Sequence, residues 1–283
     1  MRFEELADAY LQYWTGRDHH RVTQVKWWKA RIGRTVLADV RPDEIRRHLK
    51  EYAQGTDRPG GARAPASVNR LRAALSSIYS YGVREGLSTK NPVRSVAMEK
   101  EQNHRVRYLS EDERIALLDA CRSSRWDKLY LLVLMAMMTG ARKGELKSLH
   151  WEWIDFQARL VRLERTKNGE PRVLTLPIAV IEELLRHRRP SGLVFESARR
   201  RGVAMDEKKP WTRALLQAEI SNFRFHDLRH TAASYLAMGG ATLLEIAEVL
   251  GHKSLQTTKR YAHLSVAHRQ AITDRMLGGL KIE

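Results

Sequence analysis

Ten consecutive residues, LYLLVLMAMM at 129–138, carry no charge and no polar group except one phenol hydroxyl. A membrane-crossing helix needs ~20 such residues, so this run is about half the length required. A segment apolar on every side must be enclosed by other elements, which predicts a buried helix at the centre of a packed domain. The chain has 283 residues, of which 43% are hydrophobic. At about 100–200 residues per domain it has room for two. The break between them falls at residues 100–107, KEQNHRVR, where Val106 is the one apolar residue. Ser110 follows, with Glu113 three residues later, the pattern of a capping box that opens a new helix. The expected layout is a first domain over 1–99, a linker over 100–107 and a second domain over 108–283.

The first domain reads as all-α. Phe3, Leu6, Ala7, Tyr10, Leu11 and Trp14 follow the spacing of one helix face. A second helix is expected from Arg17 to about Ile32, ending at Gly33, and a third opens at Pro42-Asp43-Glu44. TDRPGGARAP, 56–65, is a loop, and Ser67 is expected to cap a long helix carrying Leu71, Leu75, Ile78 and Tyr79. The second domain begins helical and then changes period. Leu160, Val161 and Leu163 precede Asn168-Gly169, and Val173, Leu174 and Leu176 follow it, which predicts a hairpin. After Pro177 helices return, with Arg199-Arg200-Arg201 expected in a loop. The fold class is therefore mainly α, with a small antiparallel β-sheet in the C-terminal domain.

The formal net charge is +17. Residues 1–104 hold 19 basic and 12 acidic side chains, and residues 105–283 hold 31 and 21, so neither part is a basic tail on a neutral body. Such a chain attracts a polyanion, and nucleic acid is the leading candidate. The single cysteine, Cys121, excludes an internal disulfide and a cysteine zinc site, and its helical setting reads as a small buried hydrophobe. MRFEELADAYLQYW lacks the apolar core of a signal peptide. The expected setting is cytoplasmic, without membrane contact.

Several polar residues stand where packing does not ask for them. In TGARKGEL, 139–146, Arg142 emerges where Gly140 ends the apolar helix, and Glu145 can face it across one turn. Lys167 sits beside the Asn168-Gly169 tip. FRFHDLRHTAASYLAMGG, 223–240, reads as a helix presenting His226 and Arg229 near its start, where an anion is favoured; His230 is expected to face elsewhere. In GHKSLQTTKRYAH, 251–263, Gly251 ends a helix before His252, and Tyr261 follows nine residues on. Taken singly, each has a plain reading: an ion pair, a solvated lysine, a helix-start histidine, a packing aromatic.

Their order is more specific. An arginine, a hairpin lysine, histidine-x-x-arginine, glycine-histidine and a tyrosine, carried by TGARKGEL, HDLRH, LGH and RYAH, resemble the tyrosine recombinase (phage integrase) family across the second domain. The first domain resembles, less specifically, that family's SAM-like core-binding domain. The resemblance implies a two-domain clamp on duplex DNA. It implies an enzyme that cuts and rejoins strands through a covalent 3′-phosphotyrosine, with Arg142, Lys167, His226, Arg229, His252 and Tyr261 as its site residues. In that reading the two arginines neutralise the phosphate, and Tyr261 is the nucleophile. His226 accepts its proton, Lys167 protonates the departing 5′ oxygen, and His252 binds the phosphate. No cofactor and no metal are expected, and no GxxxxGK[ST] loop is present. The expected partners are specific double-stranded DNA, further copies forming a tetramer on it, and accessory DNA-bending proteins. The tail from Leu264, with Val266, Ala267, Ile272, Met276 and Leu277, is expected to dock on a neighbouring copy.

Two rivals stand beside this reading: a type IB topoisomerase that relaxes one duplex, and a catalytically inactive DNA-binding protein. The histidine-x-x-arginine setting and the complete residue set favour the recombinase. The sequence starts directly at the core-binding-like segment, which leaves control through distant arm sites open, with a short integrase, a resolvase-like recombinase and a piece of a longer chain as the alternatives.

Overall fold

In the computed structural model, the described residues are 1–16, 18, 20–55, 61–101, 106–164 and 171–265. The chain divides into two compact units, Met1–Asn103 and His104–Glu283. Among the described residues of the first unit, four α-helices form: α1 (Phe3–Tyr13), α2 (His20–Ile32), α3 (Pro42–Gln54) and α4 (Pro65–Arg84). α1 buries Phe3, Leu6, Ala7 and Tyr10, the face that its spacing set out. The helices close around Trp28, wholly buried, whose indole N–H donates to the Leu71 carbonyl at 3.0 Å. An indole needs such a partner once water is gone.

The helix boundaries have local causes. α3 starts on Pro42 and ends at Gly55, whose φ of 68° is left-handed backbone that glycine adopts without a Cβ penalty. α4 departs from expectation: it starts at Pro65, with Ala64 in the capping position, so Ser67 lies in the first turn and does not cap. Proline at the first helical position has its φ already set and no N–H to satisfy. Asn91 opens a 3-10 turn over Pro92–Ser95, its side chain accepting from the Val93 N–H at 3.1 Å.

The second unit opens with α5 (Glu111–Arg122), where the Ser110–Glu113 capping box is formed in both directions. α6 (Leu129–Thr139) is the apolar run, and all its residues except Tyr130 and Met138 are buried. It packs against α5, α8 (Ile178–Arg186) and α10 (Asp227–Met238). Between α6 and α8 lie the short α7 (Lys143–Lys147) and three antiparallel strands, β1 (Ile154–Asp155), β2 (Leu160–Leu163) and β3 (Arg172–Thr175), in the order β1-β2-β3. Val161 pairs with Leu174 and Leu163 with Arg172, so one face of the sheet meets the core. The Asn168-Gly169 tip, with Lys167, lies outside the described residues.

β4 (Glu196–Ser197) and β5 (Arg200–Ala204) form a second, two-stranded sheet. Arg200 and Arg201 are therefore in a strand and not in the expected loop. Residues 200–203 are exposed, so no apolar alternation marks the strand in the sequence. α9 (Lys208–Gln217), α11 (Leu243–Leu250) and α12 (Leu255–Thr258) complete the unit, and a 3-10 turn over Lys259–Ser265 follows. Cys121 is buried, and burial pushes its thiol up to about 12. No helix among the described residues is long and apolar enough to cross a membrane.

Candidate active site

The site grows from two helix ends. α6 stops at Gly140, with φ 59°, and α11 stops at Gly251, with φ 64°. A Cβ on Gly140 would stand 2.3 Å from Leu250 Cδ2, so glycine is needed for space as well as conformation. The two carbonyls freed at these ends are each taken by a guanidinium. Gly140 O accepts from Arg229 Nη1 at 2.7 Å, and Gly251 O accepts from Arg142 Nη2 at 3.2 Å.

Arg142 occupies the capping position of α7. Its backbone N–H donates to Glu145 Oε2 at 2.9 Å and its Nη1 to Oε1 at 2.8 Å. Glu145 is buried and holds a second guanidinium: Arg172 Nη1 donates to Oε2 at 2.9 Å. Arg172 also donates through Nη2 to the Val249 carbonyl in the last turn of α11. Its side chain is 8% exposed, and burial lowers its pKa, with Glu145 opposing and Arg142 adding to the effect. Arg172 was missed in the sequence. The available signal was alternation, because Arg172 and Leu174 are two apart on β3 and share the core-facing side.

α10 brings the next pair. His226 stands in the capping position without a side-chain cap bond among the described residues, and is exposed. Asp227 is buried and accepts from the Arg224 N–H at 2.8 Å, which fixes the approach to the helix. Arg229 is 4% exposed, and its Nη2 is sealed from solvent with no hydrogen-bond partner among the described residues. Burial, then Arg142 and Arg172, pull its pKa down to about 9, while Glu145 works the other way. A donor without a partner among crowded guanidiniums makes this a place where an anion is strongly stabilised.

His252 follows Gly251, its backbone N–H donating to the Ala247 carbonyl at 2.9 Å. Its Nδ1 is 2.8 Å from the hydroxyl of Thr258, which is fully buried. Burial, and next Arg229 and Arg142, push His252 down to about 4, so its ring is neutral at pH 7. A cleft between β3 and α11 is lined by Arg142, Arg172, Gly251 and His252.

Tyr261 sits in the closing 3-10 turn and is 1% exposed. Ala232, Ala233 and Ala237 of α10, with Ile246 and Leu250 of α11, form its cluster. Its hydroxyl lies 2.5 Å from Nδ1 of His230. Against the expectation that His230 faces elsewhere, the imidazole against the phenol is that of His230, and His226 meets His230 edge-on with ring centroids 5.5 Å apart. The spacing contained the signal, since 226 and 230 are four apart on one helix face. Burial, then His226, push His230 down to about 4. His226 is lowered by partial loss of hydration and by Arg229. The Tyr261 phenol is raised by burial, against the pull of Arg260 and Arg229.

The fold thus gathers Arg142, Arg229 and His252 around two helix ends, and packs Tyr261 against the α10 that carries Arg229 and starts at His226. Lys167 lies outside the described residues. Among the described residues no group of three His, Cys, Asp or Glu could hold a metal ion.

Residues 107–268 match the family model described as the phage integrase family. The shufflon-specific DNA recombinase of Escherichia coli is 33% identical over 208 residues, 71% of this chain and 52% of that protein. The chain thus spans about half the length of that relative. A tyrosine recombinase XerC from a Mycobacterium species is 30% identical over 251 residues, covering 80% of this chain and 81% of that one. In fold, the chain is similar to the Tn1549 transposon integrase in complex with a circular intermediate DNA. The TM-score is 0.77 and the identity 16%, over 97% of this chain and 99% of that one. It is also similar to a lambda integrase dimer bound to a COC′ core site, with a TM-score of 0.72 and 22% identity over 93% of this chain and 77% of that one. A family match over more than half of the sequence, on a structure of the same fold, leads to one conclusion: the chain belongs to the phage integrase family.

Proposed function

We propose that the protein is a site-specific DNA recombinase that breaks and rejoins strands through Tyr261. The observation that carries this reading is the convergence of Arg142, Arg229 and His252 on two helix ends, with a buried arginine nitrogen unpaired among the described residues, beside a tyrosine whose hydroxyl already meets an imidazole.

Tyr261 Oη attacks the scissile phosphorus. A P–O bond to tyrosine forms, the bond to the 5′ oxygen breaks, and the electron pair leaves on that oxygen. Arg142 and Arg229 hold the non-bridging oxygens as charge builds on them, an effect worth most in a site that excludes water. His252, neutral and oriented by Thr258, donates a hydrogen bond from Nε2. His226 stands at the N-terminus of α10, where a phosphate is favoured. Lys167 supplies the proton to the departing 5′ oxygen. The reverse attack, by a 5′ hydroxyl of another strand, completes exchange without a nucleotide or a metal.

Residues 1–99 serve as a core-binding domain and 108–283 as the catalytic domain, joined at 100–107, and together they clamp duplex DNA. Several copies assemble on the recombination site as a tetramer, with the tail from Leu264 docking on a neighbour and accessory DNA-bending proteins assisting. The protein works in the cytoplasm, on the nucleoid. The net charge of +17 supports a duplex partner, with affinity falling steeply as salt rises.

The test is a nicked suicide duplex carrying the element's own end sequences, followed on a denaturing gel. The native protein should give a covalent protein–DNA band that Tyr261→Phe does not. Tight binding with no band on a verified site would sink the proposal. Plasmid relaxation without recombinant product would turn it towards a topoisomerase.

A further inference from the structure

The phenol proton of Tyr261 has to go somewhere, and burial narrows the choice. Tyr261 is 1% exposed, so bulk water does not compete for the proton at rest. Among the described residues, the hydrogen-bond partner of the hydroxyl is Nδ1 of His230, at 2.5 Å. That distance is at the short end for an O–H donor and well inside the reach a general base requires. We infer that His230, and not His226, is the general base that takes the Tyr261 proton during cleavage and returns it during rejoining. This inference rests on the proposed role of Tyr261 as nucleophile.

The step balances within the site. The proton passes from Tyr261 Oη to His230 Nδ1, and the oxygen lone pair forms the bond to phosphorus. The 5′ oxygen leaves with its electron pair and is protonated by a separate acid. On rejoining, the 5′ hydroxyl displaces tyrosine, and the His230 imidazolium reprotonates the phenolate. The base must be neutral beforehand, with its proton on Nε2 and its Nδ1 lone pair towards the phenol. The surroundings favour the neutral ring. Burial and the cations Arg229 and Arg260 oppose charging, His226 stands edge-on to it, and Asp227 is the one group acting in the other direction. A phosphate entering beside Arg229 adds negative charge, which makes His230 a stronger base when substrate is present.

The rest of the helix is built to hold this ring in place. His230 is one turn from His226, and the next residue, Thr231, is fully buried. Thr231 Oγ1 donates to the Asp227 carbonyl at 3.0 Å and accepts from the Leu109 N–H at 3.2 Å. The bond to Asp227 lies within α10, while the bond from Leu109 ties the helix to the segment before α5, so a rotation of α10 that would swing His230 off the phenol would break it.

The experiment is single-turnover formation of the covalent band on the suicide duplex, between pH 4 and pH 9, for the native protein, His230→Ala, His230→Asn and His226→Ala. Asparagine retains a polar atom near the Nδ1 position but cannot take the proton at these pH values. Duplex binding by each variant reports folding. A general base contributes about 10²–10⁴-fold. Both His230 variants should therefore bind DNA normally and cleave at least about 100-fold more slowly, and added imidazole should restore part of the rate to His230→Ala. The native rate should fall at acid pH with a limb that both His230 variants lack. His230→Asn cleaving at the native rate would overturn the inference and leave His230 a positioning residue, as would an unchanged acid limb in both variants. Loss of the acid limb in His226→Ala alone would reassign the base to His226. Failure of the proposed function looks different: the native protein itself would give no band.

Discussion

Arg172 donates to Glu145 Oε2 at 2.9 Å, and both side chains are less than a tenth exposed. The pair does more than satisfy two charges. Through Glu145 it fixes Arg142, and through the Val249 carbonyl it fixes the end of α11 from which His252 emerges. β3, a strand that carries none of the six expected site residues, is thereby fastened to two of them.

Removing Arg172 should leave a buried carboxylate with half its partners. Arg172→Met keeps much of the bulk and should cost about 3–5 kcal/mol, the range for breaking one side of a buried ion pair. Urea unfolding measures it. Cleavage should fall further than folding explains, because Arg142 loses its brace, and an unchanged rate at full folding would count against that role.

Gly140→Ala introduces a Cβ 2.3 Å from Leu250 at a left-handed φ of 59°. Strain of this kind costs about 1–3 kcal/mol before any repacking. Because Gly140 O holds Arg229, the melting temperature and the covalent-band yield should drop together.

Thr258→Val preserves shape and deletes the hydroxyl that meets His252 Nδ1. The stability loss should be about 1 kcal/mol, the worth of one hydrogen bond. Cleavage should fall several-fold with duplex binding intact, which a gel-shift assay beside the suicide assay separates.

Stability should also depend on pH. His230 and His252 each sit at about 4 in the folded protein against 6.5 in a free ring. Between those values the unfolded chain binds more protons than the folded one, so stability is full above about pH 6.5 and declines as pH falls towards 4. Thermal melts across this window should show the decline, and His230→Asn with His252→Asn should flatten it.

Much of this architecture was legible because its causes are local. The Ser110–Glu113 box, the buried face of α1, the encased run of α6 and the glycines that end α6 and α11 depend on residues within a turn or two. Ser67 misled because two adequate helix starts lay two residues apart, and Pro65 won. Arg172 and His230 escaped for a different reason. Their partners are 27 and 31 positions away, and nothing in a charged side chain's own neighbourhood says which distant group it will meet. The order of residues carried Arg142, His226, Arg229, His252 and Tyr261, but not which imidazole the phenol would face.

Arg229 closes on the end of α6 and Arg142 on the end of α11, each guanidinium reading a carbonyl that another stretch of chain supplies. Neither arginine is set by its own segment alone. A molecule with either helix undone therefore holds scattered positive charge and no paired grip on a phosphate. On the proposed function this is a safeguard: an incompletely folded copy would stick to a duplex, but would have no assembled means of cutting it.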